Sequence, residues 1–279
     1  MTHYRPAWAP DYVDLETPAE ARMYDFYLGG SHNFAADRRL AQRAIDAYPD
    51  IRAYCIANRS FLRRSVSALA TLGVDQFLDL GSGIPTVGNV HEVARSANPG
   101  ARTVYVDADP VAYAHGASLL ADEPDARFLQ ADLRDPLAVL GHPGLDGFLD
   151  FDRPVAVLLY SVLPFIPDAD GPADIVAAYR DATVPGSYLA LSHGTADYKP
   201  DQVGALTEVY TEAIHTMHPR SRAAILDLMS GYDLLEPGLT DAILWRPEPE
   251  VVDPLGGDVT RYSLYAAVGR LPGGRDGDS

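Results

Sequence analysis

The sequence predicts an α/β protein: a mostly parallel sheet covered by helices, with a block of helices in front of it. Three observations lead there. Beyond Gly73, strand-like and helix-like patterns alternate, the order that builds parallel strands with right-handed crossovers. The run Val155 to Tyr160 is apolar throughout, as a strand covered on both faces must be. The stretch "QFLDLGSGIPTVGNVHEVA", Gln76 to Ala94, passes from a buried strand through Gly81-Ser82-Gly83 into a helix. Such a turn is where these sheets hold a ligand.

The elements follow in order. Residues 1–16 are irregular and expected to be flexible. Thr17-Pro18-Ala19-Glu20 has the form of a capping box with proline at the first helical position, so a helix is expected from there to Leu28, stopped by Gly29-Gly30. A second helix runs from Phe34 to Tyr48, and a third follows Asp50 and runs to about Leu72. On the third, Ile51, Tyr54, Cys55, Leu62, Val66 and Leu69 keep helical spacing, and Asn58 falls on the same stripe. These helices form an expected cap, residues 17–73, on an α/β unit of residues 74–270. Strands are expected at 77–80, 103–106, 126–130, 155–160 and 187–191, with a helix from Thr86 to Ala97 after the first. Two helical patterns lie between Asp201 and Ser230, split by His218-Pro219. "RYSLYAAVGRL" closes the sheet, read as antiparallel, and residues 271–279 are expected to be disordered.

Composition narrows the function. Apolar content of 47% in 279 residues suits a full core, and the net charge of −17 argues against a nucleic-acid backbone or an anionic membrane as partner. The pairs Arg38-Arg39 and Arg63-Arg64 read as solvated helix faces. A single cysteine, Cys55, rules out an internal disulfide and points to a reducing cytoplasm. No apolar leader or membrane-length run is present. A small-molecule substrate is expected.

The chemistry-bearing residues stand at strand ends. Gly81 and Gly83 permit a tight turn and close approach of a ligand to backbone. Asp79 ends the first strand, where a carboxylate welcomes a cationic or zwitterionic group and repels a pyrophosphate. Thr86 stands where a dinucleotide fingerprint has its third glycine, and no phosphate-loop motif occurs. Asp107 ends the second strand, where an acid accepts from ribose hydroxyls; Asp109 is either a competitor or the cap of the next helix. Asp132, with Leu133, suits an adenine amino group and ring, or else caps a turn. Asp168 and Asp170 read as caps of the following helix. The loop "GGSHN", flanked by Tyr24, Tyr27 and Phe34, either folds over the ligand or simply ends a helix. Asn58 is a ligand contact or a satisfied buried amide. His193, expected at the end of the fifth strand, and His32 are candidate general bases, with a structural role as the alternative for each; His91 reads as structural. The histidines are scattered, so no metal site is expected.

This constellation resembles the S-adenosylmethionine-dependent methyltransferases of the Rossmann-like class. More closely, "ARMYDFYLGGSHNFAADR", "NRSFLRRSV", "FLDLGSGIPTVGNVHEVA", "VYVDADPV", "FDRPVAVLLYSVLPFIPD" and "PGSYLALSH" are similar to an actinobacterial methyltransferase family first catalogued as a domain of unknown function. The resemblance spans about residues 17–270. It implies a seven-stranded sheet with the last strand reversed and S-adenosylmethionine as cofactor. Asp79, Gly81 and Gly83 would surround its methionine part, Asp107 would hold its ribose, and Asp132 with Leu133 would frame its adenine. Ser161 would lie by the methyl group. Ser82, Ala108, Tyr24 and Asn33 are further candidate cofactor contacts, the last two from the cap helices and their loop. An NAD-dependent oxidoreductase and a non-catalytic cofactor-binding regulator are the alternatives. The methyl acceptor and the oligomeric state are not legible.

Overall fold

The computed structural model describes residues 5, 9, 11–85, 88–247 and 257–273. The expected tail beyond residue 273, most of residues 1–10 and the helix start expected at Thr86 lie outside the described residues. Helices α1 (Glu20–Tyr27), α2 (Ala35–Ala47) and α3 (Ile51–Thr71) come first. There follow β1 (Gln76–Leu80), α4 (Val90–Ala97), β2 (Arg102–Asp107), α5 (Pro110–Leu119), β3 (Ala126–Gln130), α6 (Pro136–Leu140) and β4 (Ala156–Tyr160). The chain continues through α7 (Pro172–Asp181), β5 (Tyr188–Gly194), α8 (Pro200–Tyr210) and α9 (Arg222–Leu228). It ends with β6 (Asp233–Leu234), β7 (Thr240–Asp241) and β8 (Leu264–Arg270).

The sheet runs β3-β2-β1-β4-β5-β8-β6, seven strands along one path, with β7 as a further two-residue strand on β8. Pairs from β3 to β5 are parallel; β8 is antiparallel to β5, β6 and β7. Because side chains alternate across a strand, neighbouring residues feed different cores. Phe77, Tyr105, Leu158 and Ala190 face α3, α4 and α5. Leu78, Val104, Leu159 and Leu191 face α7 and α9. Asp79 and Asp107 follow Phe77 and Tyr105 by two, which places them on the α3 side at the carboxyl ends of their strands.

Helix α3 is the long element on that side. Phe61, at its middle, is fully buried and packs edge-on against Tyr160 at 5.7 Å and Trp245 at 5.4 Å. Ser65 Oγ and Tyr160 Oη share a 2.7 Å hydrogen bond that ties the helix to β4. Arg64, expected on a solvated face, is instead buried: it shares a second buried face of α3 with Ala57, Ser60 and Phe61, and it donates to the carbonyls of Trp245 and Ala242 and to Ser60 Oγ. The cap forms a third cluster in which Met23, Tyr27, Leu40 and Ala44 meet Val203, Leu206 and Tyr210 of α8. Ala9 and Val13 are buried against the main core.

Two expected caps do not form. Helix α1 begins at Glu20, and the Ala19 amide donates to Asp37 Oδ1 at 3.0 Å while Phe34 donates to Asp37 Oδ2 at 2.6 Å. One buried carboxylate from α2 thus serves both helix starts, and Thr17 bonds Asp14 instead. Asp168 and Asp170 turn to Arg220 and Arg134, and Gly171 at φ +64° holds the position before α7.

Phe61→Ala is expected to cost about 3–5 kcal/mol, the range for truncating a buried phenylalanine, read from urea unfolding with an unchanged slope. A loss below about 1 kcal/mol would mean that α3 is not the packing centre assigned to it.

Candidate active site

A cavity of about 340 Å³ opens at the carboxyl ends of β1 to β4, the crevice that open α/β sheets use. Its floor is the Gly81–Gly83 turn, its sides the chain after β2, β3 and β4, and its cover comes from α1, α3 and the connector between α8 and α9.

The first turn is dictated by sterics. Gly81 has φ +70°, and a Cβ there would lie 2.2 Å from Val162 Cγ2. Gly83, at φ +65°, donates its amide to Asp107 Oδ2 at 2.7 Å. Asp107 Oδ1 accepts from the Asp109 amide at 2.8 Å, so one carboxylate joins the turns after β1 and β2. Burial still pushes Asp107 up to about 6, against the pull of those amides. Asp109 is a helix cap, accepting from the Val111 and Ala112 amides.

Asp79 differs. It is 4% exposed, lines the cavity and accepts no hydrogen bond among the described residues. Burial pushes it up to about 7, with the Arg59 charge opposing and Asp107 adding to the rise. Beside it Ser82 Oγ is buried with no hydrogen-bond partner among the described residues. After β3, Asp132 and Leu133 also line the cavity. Burial raises Asp132, but hydrogen bonds from Arg134 outweigh it and hold the carboxyl below its ordinary value. After β4, Ser161 takes φ +56°, a conformation that costs a non-glycine residue about 1–3 kcal/mol and gathers at functional sites. Its amide donates to Ser192 O at 3.0 Å, and its hydroxyl is hydrogen-bonded to Tyr54 Oη.

Asp79, Gly81, Ser82, Gly83, Asp107, Ala108, Asp132, Leu133, Ser161 and Tyr24 therefore converge on one cavity. Asn58 joins them, although both ends of its amide are used: Oδ1 accepts from Ser192 Oγ at 2.6 Å and Nδ2 donates to Tyr24 Oη at 3.0 Å.

Three expected residues do not reach the cavity. His193 lies inside β5 rather than at its end, because the strand runs on to Gly194. It is fully buried, bonds Gly194 O through Nδ1 at 2.8 Å and accepts from Arg220 through Nε2 at 3.0 Å. Burial depresses it to about 3, so it stays neutral and its lone pair is committed; it is not a base. Arg220 also binds Leu163 O, Ile166 O and Asp168, so His193 helps pin the segment after β4. His32 stacks on His115 at 3.7 Å, away from the cavity. Asn33 Nδ2 donates to Asp25 Oδ2 and Gly30 O, its Oδ1 accepts from Arg38, and it too is absent from the lining. The buried carboxylate of Asp25 gathers the "GGSHN" loop beneath the cap. The cover is instead α1 itself, through Glu20, Tyr24 and Leu28.

Sequence reasoning missed Arg59, Glu20 and His215. Arg59 follows Asn58 on α3 and was accessible from that stripe. Glu20 was absorbed by the capping pattern; its carboxylate accepts from the His215 amide and bonds Nδ1 of the same residue at 3.1 Å. That contact raises His215 above the ordinary imidazole value, ahead of the opposing effect of burial. His215 Nε2 makes no hydrogen bond among the described residues, and of their histidines only His215 lines the cavity.

A parallel sheet carrying a glycine turn after β1 and carboxylates after β1, β2 and β3 defines a nucleoside-cofactor enzyme, and the comparisons specify an S-adenosylmethionine-dependent methyltransferase. The chain belongs to the S-adenosyl methyltransferase family, whose model matches residues 6–272. It is similar to a putative methyltransferase from Thermobifida fusca YX, with 41% identity over 96% of this chain and 100% of that one, at a TM-score of 0.89. It is also similar to a DUF574 family protein from Streptomyces avermitilis MA-4680, with 35% identity over 93% and 99% of the two chains and a TM-score of 0.89. No curated protein matches. The residues present fit the cofactor: a buried carboxylate and a buried hydroxyl, Asp79 and Ser82, have no hydrogen-bond partner among the described residues and line a cavity with Gly81 and Gly83 in its floor.

The Asp79 shift sets a pH signature. A raised carboxyl favours folding while protonated, so this contribution is present at about pH 4 and is lost as pH rises to about 7. Asp79→Asn is expected to gain stability over the wild type across that interval, measured as urea midpoints without ligand. A difference that does not vary with pH would place Asp79 in a wetter site.

Proposed function

We propose that the protein transfers a methyl group from S-adenosylmethionine to a small-molecule acceptor bound in the same cavity. The cover is the observation that supports this most. The connector after α8 is sewn to α1 by Ile214 N to Pro18 O at 3.0 Å and by the Glu20–His215 pair, while Arg43 forks onto Glu212. A cavity walled by three separate segments suits a compact molecule better than a macromolecular strand, and the net charge of −17 agrees. Tyr24, Phe165 and Tyr210 supply flat apolar walls for that molecule.

The bound cofactor supplies an electrophilic methyl group on a sulfonium. On this reading Asp79 receives the ammonium of its amino-acid end, Asp107 the ribose hydroxyls, and Asp132 with Leu133 the adenine. The cover excludes water and aligns the acceptor, which is the main catalytic duty left to the protein. His215 receives the acceptor's proton. Its Nδ1 faces the Glu20 carboxylate, which orients the ring and leaves the Nε2 lone pair available, the arrangement of an oriented general base.

Incubation with methyl-labelled S-adenosylmethionine and a panel of small phenols, carboxylic acids and amines is expected to label at least one. Transfer to an acceptor with an acidic proton should rise with pH through a midpoint above the ordinary imidazole value, and Glu20→Gln should lower that midpoint. His215→Gln should cut turnover by about 10²–10⁴ while leaving S-adenosylhomocysteine affinity within about threefold. Unchanged turnover in that variant would remove His215 from the reaction. Labelling confined to protein or nucleic acid would contradict the small-molecule reading.

A further inference from the structure

Helix α1 covers the cavity, and one buried cation sets where it sits. Arg22, on α1, is 2% exposed. Its Nη1 donates to Asp14 O at 3.1 Å and its Nη2 to Thr17 O at 2.9 Å, which ties the chain before α1 to the guanidinium. Its Nε lies 3.4 Å from Asp109 Oδ2 and 3.6 Å from Asp37 Oδ1 but makes a hydrogen bond to neither. Asp37 already serves the Ala19 and Phe34 amides, one with each oxygen. Asp109 accepts the Val111 and Ala112 amides with Oδ1 alone, and its Oδ2 accepts no hydrogen bond among the described residues. A donor and an acceptor thus stand just short of a bond, and a buried N–H left unbonded is costly. Both partners belong to the site. Asp109 lines the cavity, and its amide donates to Asp107 Oδ1 at 2.8 Å. On α1, Glu20 and Tyr24 line the cavity too. Glu20 bonds His215, and Pro18 O accepts from the Ile214 amide, so a movement of α1 toward Asp109 carries His215 with it.

We propose that Arg22 is a positioning residue that closes the cover on the bound cofactor: when the cavity is occupied, α1 moves in and Arg22 Nε donates to Asp109 Oδ2. This rests on the reading of the cavity as the S-adenosylmethionine site. A ligand that touches both the turn after β2 and α1 favours the closed state by those contacts. The guanidinium suits the task because its donors are separate: two stay on the Asp14 and Thr17 carbonyls while the third takes the carboxylate. Closure brings Glu20 and His215 into place together, so Arg22 acts on the reaction through them and touches no reacting atom.

The test is hydrogen exchange of the full chain, read over α1 with and without S-adenosylhomocysteine, with calorimetry to confirm occupancy. In wild type the ligand is expected to slow exchange in α1 by about tenfold or more, the value of one hydrogen bond to a charged group. Arg22→Met keeps the bulk of the stem and removes the charge; it should still bind the ligand yet lose that slowing. Arg22→Lys restores the charge and should recover a slowing of about threefold or more, and a variant with none overturns the assignment to charge. A purely structural role would speed exchange by the same factor with and without ligand and leave the slowing intact in Arg22→Met, which overturns the proposal. Wild type that binds S-adenosylhomocysteine with no slowing in α1 overturns it as well. If Arg22→Met fails to fold, Asp109→Asn is used, since asparagine keeps an oxygen to cap α5 and removes the charge. The slowing should then fall by about threefold or more, and an undiminished slowing overturns the proposal. Wild type that binds no S-adenosylhomocysteine removes the cofactor reading itself, an outcome distinct from the others.

Discussion

A carboxylate buried without a partner is costly, and Asp79 is the point on which this site turns. The rest of the molecule is built so that the cost can be borne. Burying such a group normally neutralises it, as its rise to about 7 records. It stays at the strand end because β1 is central in a rigid parallel sheet, with β2 and β4 on either side and both faces covered. The same stiffness sets Asp107 two residues beyond Tyr105 on the neighbouring strand. There each of its oxygens accepts one amide, which keeps the glycine loop in shape and leaves further lone pairs open to the cavity. Asp107 is thus partly satisfied by the protein, whereas Asp79 accepts no hydrogen bond among the described residues.

The cap completes this division of labour. Helix α3 is anchored in the core by Phe61, Val66 and Leu69, and its first half projects past the strand ends carrying Asn58 and Arg59. Helix α1 and the α8–α9 connector then close the cavity from the other segments. The segment after β4 is pinned from below by Arg220, which is oriented in turn by His193. A residue with the look of a base is thus a strut, and the histidine with base-like surroundings belongs to the cover.

The sheet and the strand-end residues that line the cavity were legible because both follow from local pattern. Apolar runs mark the strands, and Asp79, Asp107 and Asp132 stand where those runs stop. What was not legible depends on distance in the chain. Glu20 and His215 are 195 residues apart and meet only through the packing of α1 on the connector. His193 was misplaced by three residues of strand length, enough to move it from a crevice into the sheet. Strands β6 and β7 have two residues each, too short for any periodicity to register. Asn33 and His32 occupy a conspicuous loop whose glycines serve a turn over Asp25, where a Cβ at position 30 would lie 1.9 Å from Oδ1.

The central claim is that the cationic end of S-adenosylmethionine meets Asp79. Calorimetric titration of S-adenosylhomocysteine at about pH 6.5, in two buffers of different ionisation enthalpy, tests it most directly. Asp79 must surrender its proton when an ammonium arrives, so the account predicts proton release into the buffer by wild type and a markedly smaller release by Asp79→Asn. Binding without proton release, or with the same release in both proteins, would contradict it.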